Sequence, residues 1–362
     1  MIYLAYVSLA FTVIQFLTAL INLIFSQKVK RYTIDQPYLV SILIPARNEE
    51  KNIASTLNCI QSISYKNIEV MVFDDQSDDR TAEIVLKISA DDNRISLIQS
   101  PGLEKGWIGK NFACNNLARA ASGRYLLFLD ADVNIHKDIL NKTIFMMRKY
   151  DLKMLSIFPV QILKTFGEKI TVPIMHYVLL SLLPLIFTRI SPFTSHSAAN
   201  GQFILFDSEV YKKLQPHKEF KYSAVEDIKI ARYYKKRKYK IACLTGYEDV
   251  KCRMYRNYKN ALNGFVKNVL TFFGDSAFMA ILFWFFTTFG FVPVLFIQPI
   301  LLITYLLLYF LTIAFISIRA KQNMFENVIY TPFRAFALLH FIIKAVYSKH
   351  TKNYQWKGRD IY

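Results

Sequence analysis

Tyr125-Leu126-Leu127-Phe128-Leu129-Asp130-Ala131-Asp132 is the stretch that decides the fold. Its five consecutive apolar residues read as a strand buried on both faces, and the two acids stand where that strand leaves its sheet. Carboxylates two residues apart in extended chain project to the same side. There they can hold one hard divalent cation against the phosphates of a ligand. Taken alone, an Asp-x-Asp is as readily a pair of solvated loop acids. The neighbouring segments decide between the two.

Upstream, Val40 to Ile44 is a short apolar, β-branched run that Pro45 ends, and Asn48 is placed to cap a following helix. Ile68 to Phe73 is a second strand, running into Asp74-Asp75-Gln76-Ser77-Asp78-Asp79, where Asp78 or Asp79 caps a helix from Thr81 to Ile88. Ile95 to Ile98 is a third strand, and Gly106 to Ala121 reads as loop and helix. Strands alternating with helices predict an α/β domain with a doubly wound, mostly parallel sheet. Ligands of such sheets bind beyond the carboxyl ends of the strands. Asn48, Glu49, Asp75, Asp130 and Asp132 are therefore expected to converge on one crevice. Neither a Gly-x-Gly-x-x-Gly turn nor a P-loop follows the first strand, which carries Pro45-Ala46-Arg47-Asn48-Glu49 instead.

Hydrophobic residues make up 53% of the 362, aromatics 15%, and the formal charge is +18. So large a positive charge fits a nucleic acid, an anionic substrate or an anionic membrane surface. The apolar segments favour the membrane. Ile2 to Phe25 is long enough to span the ~30 Å hydrocarbon layer, and Lys28, Lys30 and Arg31 follow it. A cleaved leader carries its charge on the other side, so residues 1–27 read as an anchor whose C-terminal end is cytoplasmic. Ser276 to Ile318 has no charge over 43 positions, enough for two spans that turn near Pro293, Gln298 and Pro299. From Val328 to Tyr347, Arg334, His340 and Lys344 fall on one side of a helical wheel, which predicts an interfacial helix with its basic face in water, or a further span. Ile170 to Ile190 is either an interfacial helix pair or part of the globular core. Cys59, Cys114, Cys243 and Cys252 lack metal-ligand spacing and are expected to pack, reduced. The run Lys235-Lys236-Arg237-Lys238 is more simply attracted to anionic lipid than to nucleic acid, which is not expected as a partner.

Four segments in order, Ile42 to Glu50, Asp74 to Asp79, Asp130 to Asp132 and Glu226-Asp227, resemble the motif set of inverting family 2 glycosyltransferases of the GT-A fold. The resemblance covers roughly residues 40–258. Within the family, Gly106-Trp107-Ile108-Gly109-Lys110, Arg253-Met254-Tyr255 and Trp356-Lys357-Gly358-Arg359 are similar to members that glycosylate a C30 carotenoid acid at the membrane. The resemblance implies a UDP-sugar donor and Mg²⁺ or Mn²⁺. It places Asp75 on the uracil ring, Ala46 to Glu49 around the nucleoside with Pro45, Asp130 toward ribose and sugar, Asp132 on the metal, and Lys110 near the nucleotide. Asp227, beside Glu226, would be the catalytic base. A helix start there favours an ionised carboxylate. Plain N-terminal helix charge would look the same.

Arg253 is a candidate diphosphate clamp or a basic residue near lipid. The Gln-x-x-Arg-Trp motif of processive members is absent around it, where Val250-Lys251-Cys252-Arg253-Met254 stands. Gly201 and Gln202 border an acceptor site or form an ordinary turn, and Trp107 shields the nucleotide or packs. The expected organisation is an anchor at 1–27, a GT-A domain at 38–270, two transmembrane helices at 276–318, and an interfacial helix and tail at 325–362. The expected activity is transfer of a hexose, foremost glucose, to a lipophilic acceptor at the cytoplasmic face of the cell membrane. Polyisoprenoid-phosphate, hopanoid or glycerolipid acceptors and a non-catalytic scaffold are the alternatives.

Overall fold

The structure is a computed structural model that describes residues 1–27, 37–136, 138–351, 355–356 and 359–360. In β1 (Val40–Ala46) both faces are buried: Val40, Ile42 and Ile44 on one, Ser41 and Leu43 on the other, all at 0% exposure. A strand of this kind sits at the centre of a sheet covered by helices. Its partners are β2 (Ile68–Asp74) and β4 (Tyr125–Leu129), both parallel to it. β3 (Ile95–Gln99) lies outside β2. On the far side follow β8 (Phe203–Asp207), β6 (Met154–Phe158) and β9 (Ile241–Thr245), giving the order β3-β2-β1-β4-β8-β6-β9. β8 alone runs antiparallel to its neighbours, so the sheet is mixed but mostly parallel. A small second sheet joins β5 (Val133–Ile135), β10 (Val250–Cys252) and β7 (Val160–Gln161) below the acidic end of β4.

Pro45 does not end β1. The Val40 N–H donates to Asn67 O on the β2 side, so by alternation the odd-numbered residues face β4. The β4 ladder stops at Leu43, and Pro45 therefore lacks nothing by having no N–H. Asn48 is not a helix cap either. It takes a left-handed conformation (φ 54°) in a turn, and α2 (Ile53–Gln61) starts only after Asn52. The cap residue of α3 (Thr81–Asp91) is Arg80 rather than Asp78 or Asp79, although Asp79 Oδ1 accepts from Thr81 N at 3.0 Å. α4 (Gly109–Ala120) and α5 (Ile139–Lys149) complete the cover of the first half.

The other helices form a layer against one end of the domain. α1 (Ile2–Ile24) buries Ser8, Thr12, Gln15 and Asn22 and exposes Ile14, Leu17 and Ile24. Asn22 stitches it to the domain, donating to Leu180 O and Leu183 O at 3.0 and 2.9 Å and accepting from Leu185 N at 2.7 Å. These contacts decide the status of residues 170–190. After α6 (Phe166–Thr171), α7 (Pro173–Leu182) is buried along most of its length and packs on α1, and α8 (Ile186–Ile190) follows. The stretch is core. Past β8, α9 (Ser208–Leu214), α10 (Pro216–Glu219), α11 (Glu226–Lys236) and α12 (Tyr258–Phe265) belong to the domain.

The segment expected to hold two spans folds as α13 (Ala277–Phe289), a break at Gly290, α14 (Phe291–Leu295) and α15 (Pro299–Ala320), with the turn at Gln298 and Pro299 as expected. Among the described residues, α1 and α15 are long and apolar enough to cross a membrane, whereas α13 has 13 residues. α16 (Met324–Ile329) leads into α17 (Thr331–Thr351).

Two basic features differ from expectation. Arg334 of α17 does not face water: its guanidinium donates to Lys169 O, Asn327 O and Asn327 Oδ1. His340 meets the Tyr258 hydroxyl at 2.8 Å, and Lys344 donates to Asn263 Oδ1 at 3.3 Å. The docked face of α17 is apolar, with Ala337, Leu338, Phe341, Ile342 and Ala345 buried beside Arg334, while Phe333, Phe336, Ile343 and Tyr347 are exposed on the side that carries His340. Lys235 is likewise not a lipid-facing charge. It is buried, and its ammonium donates to the carbonyls of Phe187, Ser191, Phe193 and His196 at 2.7–3.3 Å. All four cysteines are free, three of them buried, as packing roles require. Lys28, Lys30, Arg31, Lys357 and Gly358 lie outside the described residues.

Candidate active site

The carboxyl ends of β1, β2 and β4 open into a cleft of about 540 Å³. The β1 and β2 loops are laced together. Asp75 N donates to Ala46 O at 2.8 Å, Asn48 N to Ser77 Oγ at 3.0 Å, and Asp78 N to Asn48 Oδ1 at 2.8 Å. Arg47 spans both loops, donating to Asp75 O at 2.5 Å and Gln76 O at 3.0 Å. Pro45, Ala46, Asn48, Glu49 and Asp75 thus form one wall, with Asp75 almost buried.

Lys110, in the first turn of α4, is the electrostatic centre. Its Nζ lies 2.8 Å from Asp130 Oδ1 and 3.7 Å from Glu226 Oε1. Burial works against its charge, yet Asp130 and Glu226 outweigh burial and hold the ammonium above the ordinary lysine range. Glu226 and Asp227 open α11, as the helix start read in the sequence requires. Gly201 N donates to Asp227 Oδ2 at 3.0 Å, and Ile228 N to Oδ1 at 2.8 Å. Burial raises both carboxyls above the usual carboxylate range, with Lys110 offsetting part of the rise. Asp227 is therefore oriented by two N–H groups and nearer neutrality than an exposed acid, both of which suit a group that takes a proton.

Gln202 carries the loop against β4, its carbonyl accepting from Asp130 N at 3.1 Å and its amide donating to Cys252 Sγ at 2.9 Å. An added Cβ at Gly201 would stand 3.0 Å from Lys110 Nζ, so the ammonium would have to give way by a few tenths of an ångström. Gly201→Ala is expected to displace Lys110 and lower kcat by about 10²-fold, the cost of a misplaced reacting group. Steady-state kinetics beside an unchanged unfolding temperature would check it.

Arg253 lines the cleft, but its Nε is held by the fully buried Glu168 at 2.8 Å, which fixes its direction. Of the residues singled out in the sequence, Trp107 alone falls outside the lining. It packs edge-on against Phe112 at 5.8 Å, because the chain from Trp107 into α4 turns its indole toward the sheet. The far wall was not legible in the sequence: Phe158, Met175, Phe265, Lys267 and Phe272 come from four separate segments, and the apolar ones read only as core or span.

Among the described residues no three His, Cys, Asp or Glu side chains form a metal-binding cluster. The donor chemistry still fits a hard cation that arrives with a diphosphate, because Mg²⁺ and Mn²⁺ accept one or two carboxylates plus phosphate oxygens and water. Asp132, the second acid of the pair lining the cleft, would hold such an ion.

Residues 41–215, which span β1 to the end of α9, match the family model Glycosyl transferase family 2. That stretch is similar to the family. The 4,4'-diaponeurosporenoate glycosyltransferase of Staphylococcus haemolyticus (strain JCSC1435) is 26% identical over 237 residues, 64% of this chain and 60% of the relative. The UDP-Glc:alpha-D-GlcNAc-diphosphoundecaprenol beta-1,3-glucosyltransferase WfgD of Escherichia coli is 36% identical over 118 residues, 33% of this chain and 44% of that protein. These matches thus span less than two thirds of either relative. The mannosyltransferase PcManGT of Pyrobaculum calidifontis, solved with GDP-Man and Mn²⁺, superposes with a TM-score of 0.57 at 16% identity, over 96% of this chain and 99% of that one. The chain therefore shares the overall fold of that mannosyltransferase.

Proposed function

We propose that the protein is a membrane-anchored inverting hexosyltransferase that moves glucose from UDP-glucose to a lipophilic acceptor, foremost a C30 carotenoid acid. The observation that carries this reading is the shape of the cleft. Its lining combines Asp75, Asp130, Asp132 and Asp227 with the apolar side chains of Phe158, Met175, Phe265 and Phe272. Behind these apolar side chains lies the helical layer of α13 and α17, whose outer faces are apolar and exposed. A polar donor and a greasy acceptor can meet at Asp227. Inversion follows from one displacement at C1: the acceptor oxygen forms the new bond, and the bond to the diphosphate breaks with its electron pair. A divalent cation on Asp132 would neutralise that leaving charge. The anchor and α15 would keep the site at the membrane, on the side where nucleotide sugars are made.

The name of the E. coli relative favours a second reading, a polyprenyl-diphosphate-linked acceptor. UDP release by the full chain in lipid vesicles, with UDP-glucose, Mn²⁺ and a panel of carotenoid acid, polyprenyl phosphate and glycerolipid, separates them. Release that needs the carotenoid acid and stops on chelation supports the proposal. Release with the polyprenyl phosphate alone transfers it to the second reading, and release that ignores chelation removes the metal.

A further inference from the structure

Glu168, in the first turn of α6, is a fully buried acid outside every motif read in the sequence. A buried carboxylate is costly unless donors surround it. Three do: Lys164 N and Thr165 N reach Oε2 at 2.5 and 2.6 Å, and Arg253 Nε reaches Oε1 at 2.8 Å. Burial works against its charge, but these donors outweigh burial and hold the carboxyl below the usual carboxylate range. Its place beside Arg253 is fixed from several sides. β7 runs parallel to β10, Ile162 N donates to Cys252 O at 2.8 Å, and Thr165 Oγ1 donates to Arg256 O at 3.3 Å. Gly167 packs so closely on the start of α12 that an added Cβ would stand 2.6 Å from Tyr258 N. The other edge of β10 shows what Arg253 faces. β10 pairs antiparallel with β5 in the register Cys252↔Val133, so the chain brings Arg253 and Asp132 next in line, and both line the cleft. Glu168 takes the Nε of the guanidinium and leaves its two Nη groups for a ligand on that side.

We infer that Glu168 is a positioning residue for the donor: it aims the Arg253 guanidinium at the donor's diphosphate. The inference rests on the nucleotide-sugar donor proposed above. A guanidinium binds phosphate oxygens through two parallel N–H groups, so its direction counts as well as its charge. Glu168 also has an opposite effect, because a carboxylate beside Arg253 lowers the local positive potential. Orientation outweighs it, since without the carboxylate the ligand must order a long side chain that is otherwise ordered in advance.

Nucleotide binding tests this apart from transfer. The probes are UDP, titrated by calorimetry onto the full chain in nanodiscs with Mg²⁺, and uridine, measured by displacement of UDP. Glu168→Gln keeps the capping box, where glutamine serves at the same position. Its one oxygen can accept from the Lys164 and Thr165 N–H groups or from Arg253, but not from both sides. It should bind UDP about 10-fold more weakly, the lower range of a hydrogen bond to a charged group, with uridine affinity unchanged. The double variant with Arg253→Gln should bind UDP no more weakly than Arg253→Gln alone, because residues that act through one another are not additive. Arg253→Lys leaves Glu168 intact and should also lose about 10-fold, since an ammonium taken by Glu168 cannot also clamp a diphosphate. UDP affinity that is unchanged or tighter in Glu168→Gln overturns the inference, and so does wild-type affinity in Arg253→Lys. Additive losses in the double variant overturn it too, as does a parallel loss of UDP and uridine, which marks a structural role. Wild type that binds UDP no more tightly than uridine overturns both this inference and the proposed donor. If the variants behave as expected but wild type transfers no sugar, the proposed function fails and the positioning role stands.

Discussion

Asp227→Asn is expected to abolish transfer to a hydroxyl acceptor, by about 10³-fold, while making the protein more stable. The first half follows from geometry. Asp227 is aimed into the cleft by the N–H groups of Gly201 and Ile228, and an amide keeps the shape but cannot take a proton. Loss of a positioned base typically costs 10²- to 10⁴-fold. The second half follows from burial. A carboxyl whose folded pKa is raised binds its proton more tightly when folded than when unfolded. Stability is then lost as pH climbs from the unfolded carboxylate range through the raised folded value. At pH 7 the wild-type enzyme bears that penalty and the amide does not, so the variant should gain about 1 kcal/mol, the usual size of a relieved functional strain. Thermal unfolding at pH 5 and pH 7 should show the gain shrinking at the lower pH. The activity has its own signature. With a hydroxyl acceptor it should rise as pH passes the raised Asp227 pKa. A carboxylic acid acceptor is already ionised and should show neither that rise nor so deep a loss in Asp227→Asn. An equal loss and equal pH profile with both acceptors would exclude the base role.

The sequence carries the nucleotide side of this site openly. β4 and its acids are legible because a strand buried on both faces is a continuous apolar run, and a parallel sheet sends its ligand to the strand ends. Lys110 and Asp227 needed the family's motif order, since a lysine at a helix start or an acid pair at another has ordinary explanations. The acceptor wall was hidden for a different reason. Phe158, Met175, Phe265 and Phe272 line a cleft only because β6, α7 and α12 pack there, and nothing local distinguishes a lining phenylalanine from a core one. The sidedness of α1 and α17 was hidden too. Periodicity finds an amphipathic helix but not which side is docked. α1 turns its polar groups inward, where Asn22 finds carbonyl partners, and apolar ones outward, the reverse of a soluble surface helix, whereas α17 docks an apolar face around Arg334. Of the two readings left open for Trp107, packing holds, because Phe112 supplies an apolar partner within the sheet-facing cluster.

Lys110→Met should be the most destabilising single change in the cleft. Lys110 is 2.8 Å from Asp130 and 3.7 Å from Glu226, and its charge also offsets part of the rise in the Asp227 pKa. Removing one partner of a buried pair leaves the other charges without compensation, which costs about 3–5 kcal/mol. The Lys110 side chain keeps 23% of its surface, and water can reach it, so the lower end, about 3 kcal/mol, is the expected loss. For a domain of this size that corresponds to an unfolding temperature lower by roughly 5–10 °C. The pH dependence identifies the cause. Without the ammonium, the already raised folded pKa of Glu226 must rise further, so the variant recovers stability as pH falls through it, whereas a mere packing defect would persist at every pH. Lys110→Arg keeps the charge but not the fit, because a planar guanidinium is wider than an ammonium and Gly201 already stands close to Lys110 Nζ. It should retain most of the stability and lose donor affinity, measured as UDP binding by calorimetry. If Lys110→Met unfolds within about 1 °C of wild type, the charge cluster is not held by Lys110, and Asp130 must find its compensation elsewhere in the cleft.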